Sequence, residues 1–148
     1  MSSRHRRLFL LDSGAVTALA TNKDLLADYL TLLKTKYDGS ILIPIAVVGE
    51  FRTGDPRKDV LVDRLIKAIA KTQDTIYVPL TLEIAEYGGL LRTRAEDPDI
   101  SIVDGYIVST ANDLAHQSAV TILTGDNDDM NVLVDLTRRS NIAVEVVG

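Results

Sequence analysis

Cysteine is absent from all 148 residues. Its absence excludes disulfides, thiol catalysis and zinc–thiolate sites, and it suits a reducing cytosol. Histidine is nearly absent too. His5 lies in a basic opening stretch and His116 late in a helix, and neither is well placed for general-base work. No apolar run approaches the roughly 18–20 residues that cross a bilayer, so no membrane partner is expected. The opening SSRHRR is basic and reads as a loose arm, but the apolar stretch behind it stops at Asp12. That is too short for the core of a secretion signal. A cytoplasmic location is the expectation. Positive charge is in deficit, and the net charge of −5 argues against broad electrostatic binding of nucleic acid. It does not exclude a nuclease, because metal ions can offset acids and local basic residues can guide a backbone. Repeats, low-complexity tracts and long linkers are lacking, so residues 1–148 read as one domain with one sizeable core.

What is present is a set of short apolar runs, each ending in or leading to a carboxylate. Asp12 closes LFLLD, and Glu50 follows IPIAVVG. Asp104 sits in SIVDGYIV, and Asp126 follows VTILTG with Asp128 and Asp129 behind it. RLFLLD reads as a buried strand, too apolar for simple alternation. GAVTALA reads as a short helix and Asp24 to Lys36 as a firmer one. YDGS reads as a turn and ILIP as a strand, with Ile45 to Arg52 helical behind Pro44. Asp59 to Lys71 reads as a helix, TIYVP as a strand and Leu80 to Arg94 as a helix. After the turn EDPD, Ser101 to His116 is predicted helical, SAVTILT a strand, Asp128 to Arg139 a helix and NIAVEVV the last strand. This alternation predicts an α/β domain with a mostly parallel sheet and helices on both faces. Ligands of such sheets bind at the carboxyl ends of strands, where Asp12 and Asp126 fall.

Each acid also has an ordinary structural use. Asp12 could cap the next helix, Asp104 could form a capping box with Ser101, and Asp126 or Asn127 could cap the last helix. Glu50 could be an exposed helix residue, though Ile45, Val47, Val48 and Phe51 around it suggest a place nearer the core. Taken together, acids clustered within about 4–6 Å would resist joint ionisation, and a divalent cation removes that cost. An all-oxygen set without cysteine suits a hard cation such as Mg²⁺ or Mn²⁺, and phosphate chemistry is its natural work.

The ordered motifs resemble the PIN-domain nucleases, and among them the toxin ribonucleases of VapC type. LLDSGAVTALA is similar to the first family motif, with Asp12 and Ser13. VVGEFRTG resembles the second, with Glu50, and SIVDGYIVSTANDLA the third, with Asp104. ILTGDNDDM resembles the fourth, with Thr124, Asp126 and Asp129. VPLTLEIAEYGGLLR is similar to the strand and helix before the third acid, so the resemblance spans nearly the whole chain. Gly125 stands where the family often has Arg, Met130 where it usually has Phe, and Gly14 where it often has a larger residue. The resemblance implies a three-layer α/β/α sandwich, one or two Mg²⁺ or Mn²⁺ ions and RNA hydrolysis. It also implies inhibition by a small antitoxin protein, a homodimer, and a hetero-oligomer with that antitoxin.

On this reading Asp12, Glu50, Asp104 and Asp126 are catalytic, and Asp12, Asp104, Asp126 and Asp129 hold the metal. Ser13 and Thr124 are expected to orient the carboxylates or to act as local caps. Arg7, Arg52, Arg92 and Arg94 are the candidate phosphate contacts. The helices Asp24–Lys36 and Asp59–Lys71 carry more apolar residues than one stripe needs. Leu26, Tyr29, Leu30, Leu33, Leu61 and Leu65 are therefore expected to face an antitoxin, unless the two helices bury the surplus on each other. The alternatives are a haloacid-dehalogenase-like phosphohydrolase, which would want a second Asp where Gly14 stands, and a non-catalytic protein whose acid pocket accepts a partner's Arg or Lys.

Overall fold

The computed structural model describes residues 5–126 and 128–147. Residues 2–4 of the basic arm, and Asn127 as a helix cap, lie outside these. Five strands form one sheet: β1 (His5–Leu11), β2 (Tyr37–Pro44), β3 (Tyr77–Val78), β4 (Ala119–Thr124) and β5 (Ile142–Val146). Their order is β3-β2-β1-β4-β5, and every pairing is parallel. β1 is central, which explains its unbroken apolar run, with Leu10 and Leu11 fully buried.

Among the described residues seven α-helices cover the sheet. α1 (Ser13–Thr21), α2 (Lys23–Thr35), the single turn α3 (Val48–Phe51) and α4 (Pro56–Ala70) form one layer. α5 (Leu82–Ala95), α6 (Ile102–Leu114) and α7 (Asp128–Thr137) form the other. The fold is thus the expected α/β/α sandwich. The chain leaves β1 toward β2 on one side, and leaves β4 toward β5 on the other. The carboxyl ends of β1 and β4 therefore flank the point where the strand order reverses, the usual crevice of such sheets.

Close contact between α5 and α6 fixes the start of α6. A Cβ on Gly105 would lie 2.5 Å from the Gly88 carbonyl oxygen, so only glycine fits there. Ser109 Oγ donates to the Ile84 carbonyl at 2.7 Å, and Arg92 Nε to the Ile100 carbonyl at 2.8 Å. The two helices thus run antiparallel as a hairpin, and the loop joining them lies beside Asp104.

The structure corrects several sequence readings. YDGS is not a turn but the first half of β2, paired residue for residue with His5–Leu8 of β1. Ladder pairing with a central strand overrides the local turn preference of Asp and Gly. Pro44 keeps an extended backbone and ends β2, and Ile45–Val47 forms a 3₁₀ turn before α3 rather than one continuous helix. α4 starts earlier than Asp59, because Asp55 caps it through the Arg57 amide and Pro56 occupies its first turn. Among the described residues no helix is long and apolar enough to cross a membrane.

Candidate active site

Asp12 leaves β1 with its amide donating to the Leu123 carbonyl at 3.0 Å, which ties the ends of β1 and β4 together. Its Oδ1 accepts from the Ala15 amide at 2.8 Å and so caps α1. Its Oδ2 accepts from the Thr124 hydroxyl. Capping and a site role are therefore compatible: one oxygen is held by the helix and the other by the next strand. Thr124 is fully buried at the end of β4, and its hydroxyl also accepts from the Asp126 amide at 3.1 Å. Thr124 thus holds one Asp12 oxygen and the Asp126 amide at the same time. Ser13 makes no side-chain hydrogen bond among the described residues.

Asp104 enters from the opposite layer, in the first turn of α6. Ser101 caps that helix by accepting from the Asp104 amide at 3.1 Å. Burial first, then the charges of Asp12, Asp129 and Glu50, push the Asp104 carboxyl up to about 6, with the Ser101 hydroxyl acting the other way. The acids are thus within electrostatic reach of one another. Asp129, in the first turn of α7, is also raised, by burial and then by Asp97, Asp126, Asp128 and Asp99. Asp12, Asp104, Asp126 and Asp129 line one open cavity of about 330 Å³ together with Thr124, Gly14 and Gly125.

Two departures from the family pattern meet on the floor of this cavity. A Cβ on Gly14 would lie 3.2 Å from the Gly125 Cα, and one on Gly125 would lie 3.4 Å from the Gly14 Cα. Each position is small where its neighbour is small, and both leave the floor bare of side chains. A second acid at position 14, which the haloacid-dehalogenase alternative wants, would press on the Gly125 backbone.

The other expected site residues fall elsewhere or only nearby. Glu50 is exposed on α3 rather than near the core, because Val47, Val48 and Phe51 turn inward and leave Glu50 on the outer side of the turn. It reaches Asp104 electrostatically, but it lines a separate groove of about 290 Å³ with Thr17, Ala20, Phe51, Leu61 and Val62, between α1 and α4. Arg7 is at the far end of β1, about 16 Å from Asp12 along the strand. There it donates to Thr121 Oγ1 at 2.7 Å and covers the Tyr37 ring. Arg52 is engaged with Asp63 at 2.7 Å, and Arg92 holds the Ile100 carbonyl. Arg94 is exposed on the last turn of α5, on the acid side of the molecule.

Most of the apolar surplus on α2 and α4 is packed inward. Tyr29 and Leu65 are buried, so they cannot face a partner, and Leu26, Leu30, Leu33 and Leu61 are half-buried. Sequence reasoning missed Asp97 and Asp99, which charge the rim near Asp129. The signal was the shortness of the loop before Ser101, which forces EDPD to the edge where Asp104 lies.

The donor set is all oxygen, as a hard cation requires. Among the described residues no three His, Asp or Glu side chains are gathered closely enough to hold an ion as they stand. Fewer direct ligands are compatible with Mg²⁺, which keeps several waters and takes one or two carboxylates.

No protein-family model and no curated protein matches the sequence. Solved structures do. A chain of VapBC2 from Rickettsia felis, bound to a DNA fragment from their promoter, is 21% identical with a TM-score of 0.64, covering 95% of this chain and 99% of that one. A chain of FitAcB from Neisseria gonorrhoeae is 22% identical with a TM-score of 0.61, covering 92% and 95%. A chain of VapBC-5 from Mycobacterium tuberculosis, described as a member of the VapBC family of toxin-antitoxin systems, is 17% identical with a TM-score of 0.54, covering 95% and 97%. At these identities the likeness establishes architecture, and the chain has the PIN-type fold that its motifs imply.

Proposed function

We propose that this chain is a metal-dependent endoribonuclease acting as the toxin of a toxin–antitoxin pair. The observation that carries the reading is the cavity lined by Asp12, Asp104, Asp126 and Asp129, acids from three distant segments of the chain. The likeness to VapBC structures supports the toxin part.

Asp12 and Asp104 would be the main holders of Mg²⁺ or Mn²⁺, with Asp126 and Glu50 completing the site directly or through water. Asp129 would be a weaker or outer member. The ion, when bound, supplies Lewis-acid chemistry, offsetting phosphoryl charge and making a water more acidic. The protein's own part is to keep acids ready against their mutual repulsion. Thr124 fixes one Asp12 oxygen, and the Ala15 amide fixes the other. Burial and its neighbours raise the Asp104 carboxyl to about 6, so near that pH it is partly protonated, and a bound cation would favour its ionised form. The bare floor at Gly14 and Gly125 leaves room for a phosphodiester to approach these oxygens.

The partner would be a small antitoxin protein. Its segment would fit the apolar groove between α1 and α4, which has Glu50 at one end. An Arg or Lys at that end could pair with the acids and compete with the cation. A homodimer, and a hetero-oligomer with the antitoxin, belong to the same reading.

The test is cleavage of a panel of RNAs that includes tRNA and rRNA fragments. Cleavage is expected with Mg²⁺ or Mn²⁺ and not in EDTA, and Asp12→Asn or Asp104→Asn should abolish it while circular dichroism stays unchanged. Full activity in both variants would sink the mechanism.

A further inference from the structure

A cavity wider than the one at the acids lies elsewhere. It lies at the opposite end of the sheet, where α6 and α7 finish and β4 and β5 begin. This cleft of about 570 Å³ is lined by Tyr87, Asn112, His116, Thr137, Arg138, Arg139, Ser140 and Asn141. Two of these are arginines. Arg139 is built into place: its Nε donates to Asn112 Oδ1 at 3.0 Å, and its Nη2 lies 3.0 and 3.1 Å from the two His116 ring nitrogens. Arg138 is exposed and has a left-handed backbone, φ 57°, at the end of α7. That conformation turns it out of the helix path. Asp135 lies one turn back on α7 and Asp113 on α6, both exposed. Yet neither arginine has a carboxylate within ion-pair distance among the described residues. Two guanidinium groups thus share one cleft in a chain of net charge −5.

The other lining groups select among anions. Arg presents a planar fork of donors that suits phosphate oxygens. Ser140 adds a neutral hydroxyl, and Tyr87 adds a half-buried aromatic ring, while Thr137 and Asn141 shape the wall by donating to the Val134, Ala115 and Ser118 carbonyls. Basic groups interleaved with an aromatic ring are the means by which proteins hold single-stranded nucleic acid, through backbone charge and base stacking. An acidic peptide would have little use for the ring.

We propose that this cleft binds the phosphate backbone of a single-stranded RNA segment, with Tyr87 stacking on one base, as a second RNA contact remote from the acids. The choice of RNA over another polyanion rests on the nuclease reading. α6 joins the two places: Asp104 is in its first turn, Asn112 lies about 12 Å along it, and His116 follows its end at about 18 Å. A segment several nucleotides from the scissile bond would reach the cleft. It would supply positive contact that the bare Gly14–Gly125 floor does not.

The test uses the full chain and a fluorescein-labelled single-stranded RNA of about 20 nucleotides, long enough to span both places. Binding is followed by fluorescence anisotropy in EDTA at several salt concentrations. The variants are Arg138→Asn, since Asn tolerates the left-handed backbone, and Arg138→Asn with Arg139→Gln. The double variant should bind about tenfold more weakly, and its salt slope should fall by about 1–2. Tyr87→Leu should bind at least about fivefold more weakly with the slope unchanged. Under cleaving conditions KM should rise for long RNA while kcat holds. If the double variant destabilises the fold, Arg138→Asn alone still reports, because among the described residues the Arg138 side chain makes no hydrogen bond. Equal affinity and equal salt slope for wild type and Arg138→Asn would overturn the proposal. If wild type binds through the cleft but cleaves no RNA, the cleft stands and the nuclease reading falls. If wild type cleaves and neither arginine affects binding or KM, the cleft alone falls.

Discussion

The two ends of the sheet differ in charge more than any composition value shows. At the carboxyl ends of the strands stand Asp12, Asp104, Asp126 and Asp129, with Glu50, Asp97 and Asp99 in electrostatic reach. At the amino ends stand Arg138 and Arg139, with His116 against Arg139. The same two helices explain both. α6 and α7 begin with acids in their first turns and are followed at their far ends by His116 and by Arg138 and Arg139. Helix dipoles favour this sorting, with negative groups at amino ends and positive groups at carboxyl ends. A net charge of −5 averages over a polarised molecule. It is a poor guide to whether one part of the surface can meet a polyanion.

The comparison breaks most completely if α6 moves, since α6 carries a piece of both ends. Gly105→Val would drive a side chain into the Gly88 backbone, and we expect a loss above about 3 kcal/mol in denaturant unfolding. Gly89→Ala, at a position with open space around it, should be neutral or gain up to about 1 kcal/mol. Equal effects from the two would refute the close-contact account of α6.

A more selective break is Thr124→Val, which frees Asp12 Oδ2 and strips the Asp126 amide of its acceptor. RNA cleavage should fall about 10–100-fold, with RNA affinity at the arginine cleft unchanged. Loss of affinity and activity together would mean that the two ends are not separable.

The pH dependence sharpens the acid side. In the folded protein Asp104 is raised from the ordinary aspartate range to about 6, so between those values the folded state holds its proton more tightly than the unfolded chain does. Stability of the metal-free protein should therefore fall as pH rises through that window, and the penalty is complete above it. The full difference is at most about 3 kcal/mol, and solvent screening of this half-buried group reduces it to about 1–2 kcal/mol. In EDTA near about pH 7.5, Asp104→Asn should melt about 2–6 °C above wild type. The gain should fade toward pH 4. A gain that grows on acidification would reverse the sign and refute the repulsion.

The smallest effect belongs to a contact away from both ends. Tyr29 donates to Glu145, and burial first, then Glu145, raises its phenol well above the usual range. Tyr29→Phe should cost about 1 kcal/mol in thermal melts and leave cleavage and RNA binding alone. A change in cleavage would show that the division into two functional ends is too simple.

The acid end was legible in the sequence because each of its members closes or opens a strong apolar segment, as Asp12 follows LFLLD and Asp126 follows VTILTG. Strand ends and helix starts point to one edge without any knowledge of distance. Other features could not be read that way. The YDGS stretch carries turn residues, yet pairing with β1 makes it a strand. Leu65 and Tyr29 looked like surplus for a partner, but the number of residues a core takes up depends on how the layers close. The arginine cleft was invisible for another reason. Tyr87, the Asn112–His116 stretch and Arg139 come from three segments, and each is an ordinary part of a helix face or end until the fold joins them.

The most direct test of a molecule with two differently charged ends is a melting titration with Mn²⁺. A ligand at about 100 times its dissociation constant adds about 2.7 kcal/mol, roughly 5–10 °C for a chain of this size. Wild type and the Arg138→Asn, Arg139→Gln variant should both show the whole shift. Asp12→Asn and Asp104→Asn should lose most of it. An absent shift in wild type, or an equal shift in all four proteins, would contradict a cation held at the carboxyl end.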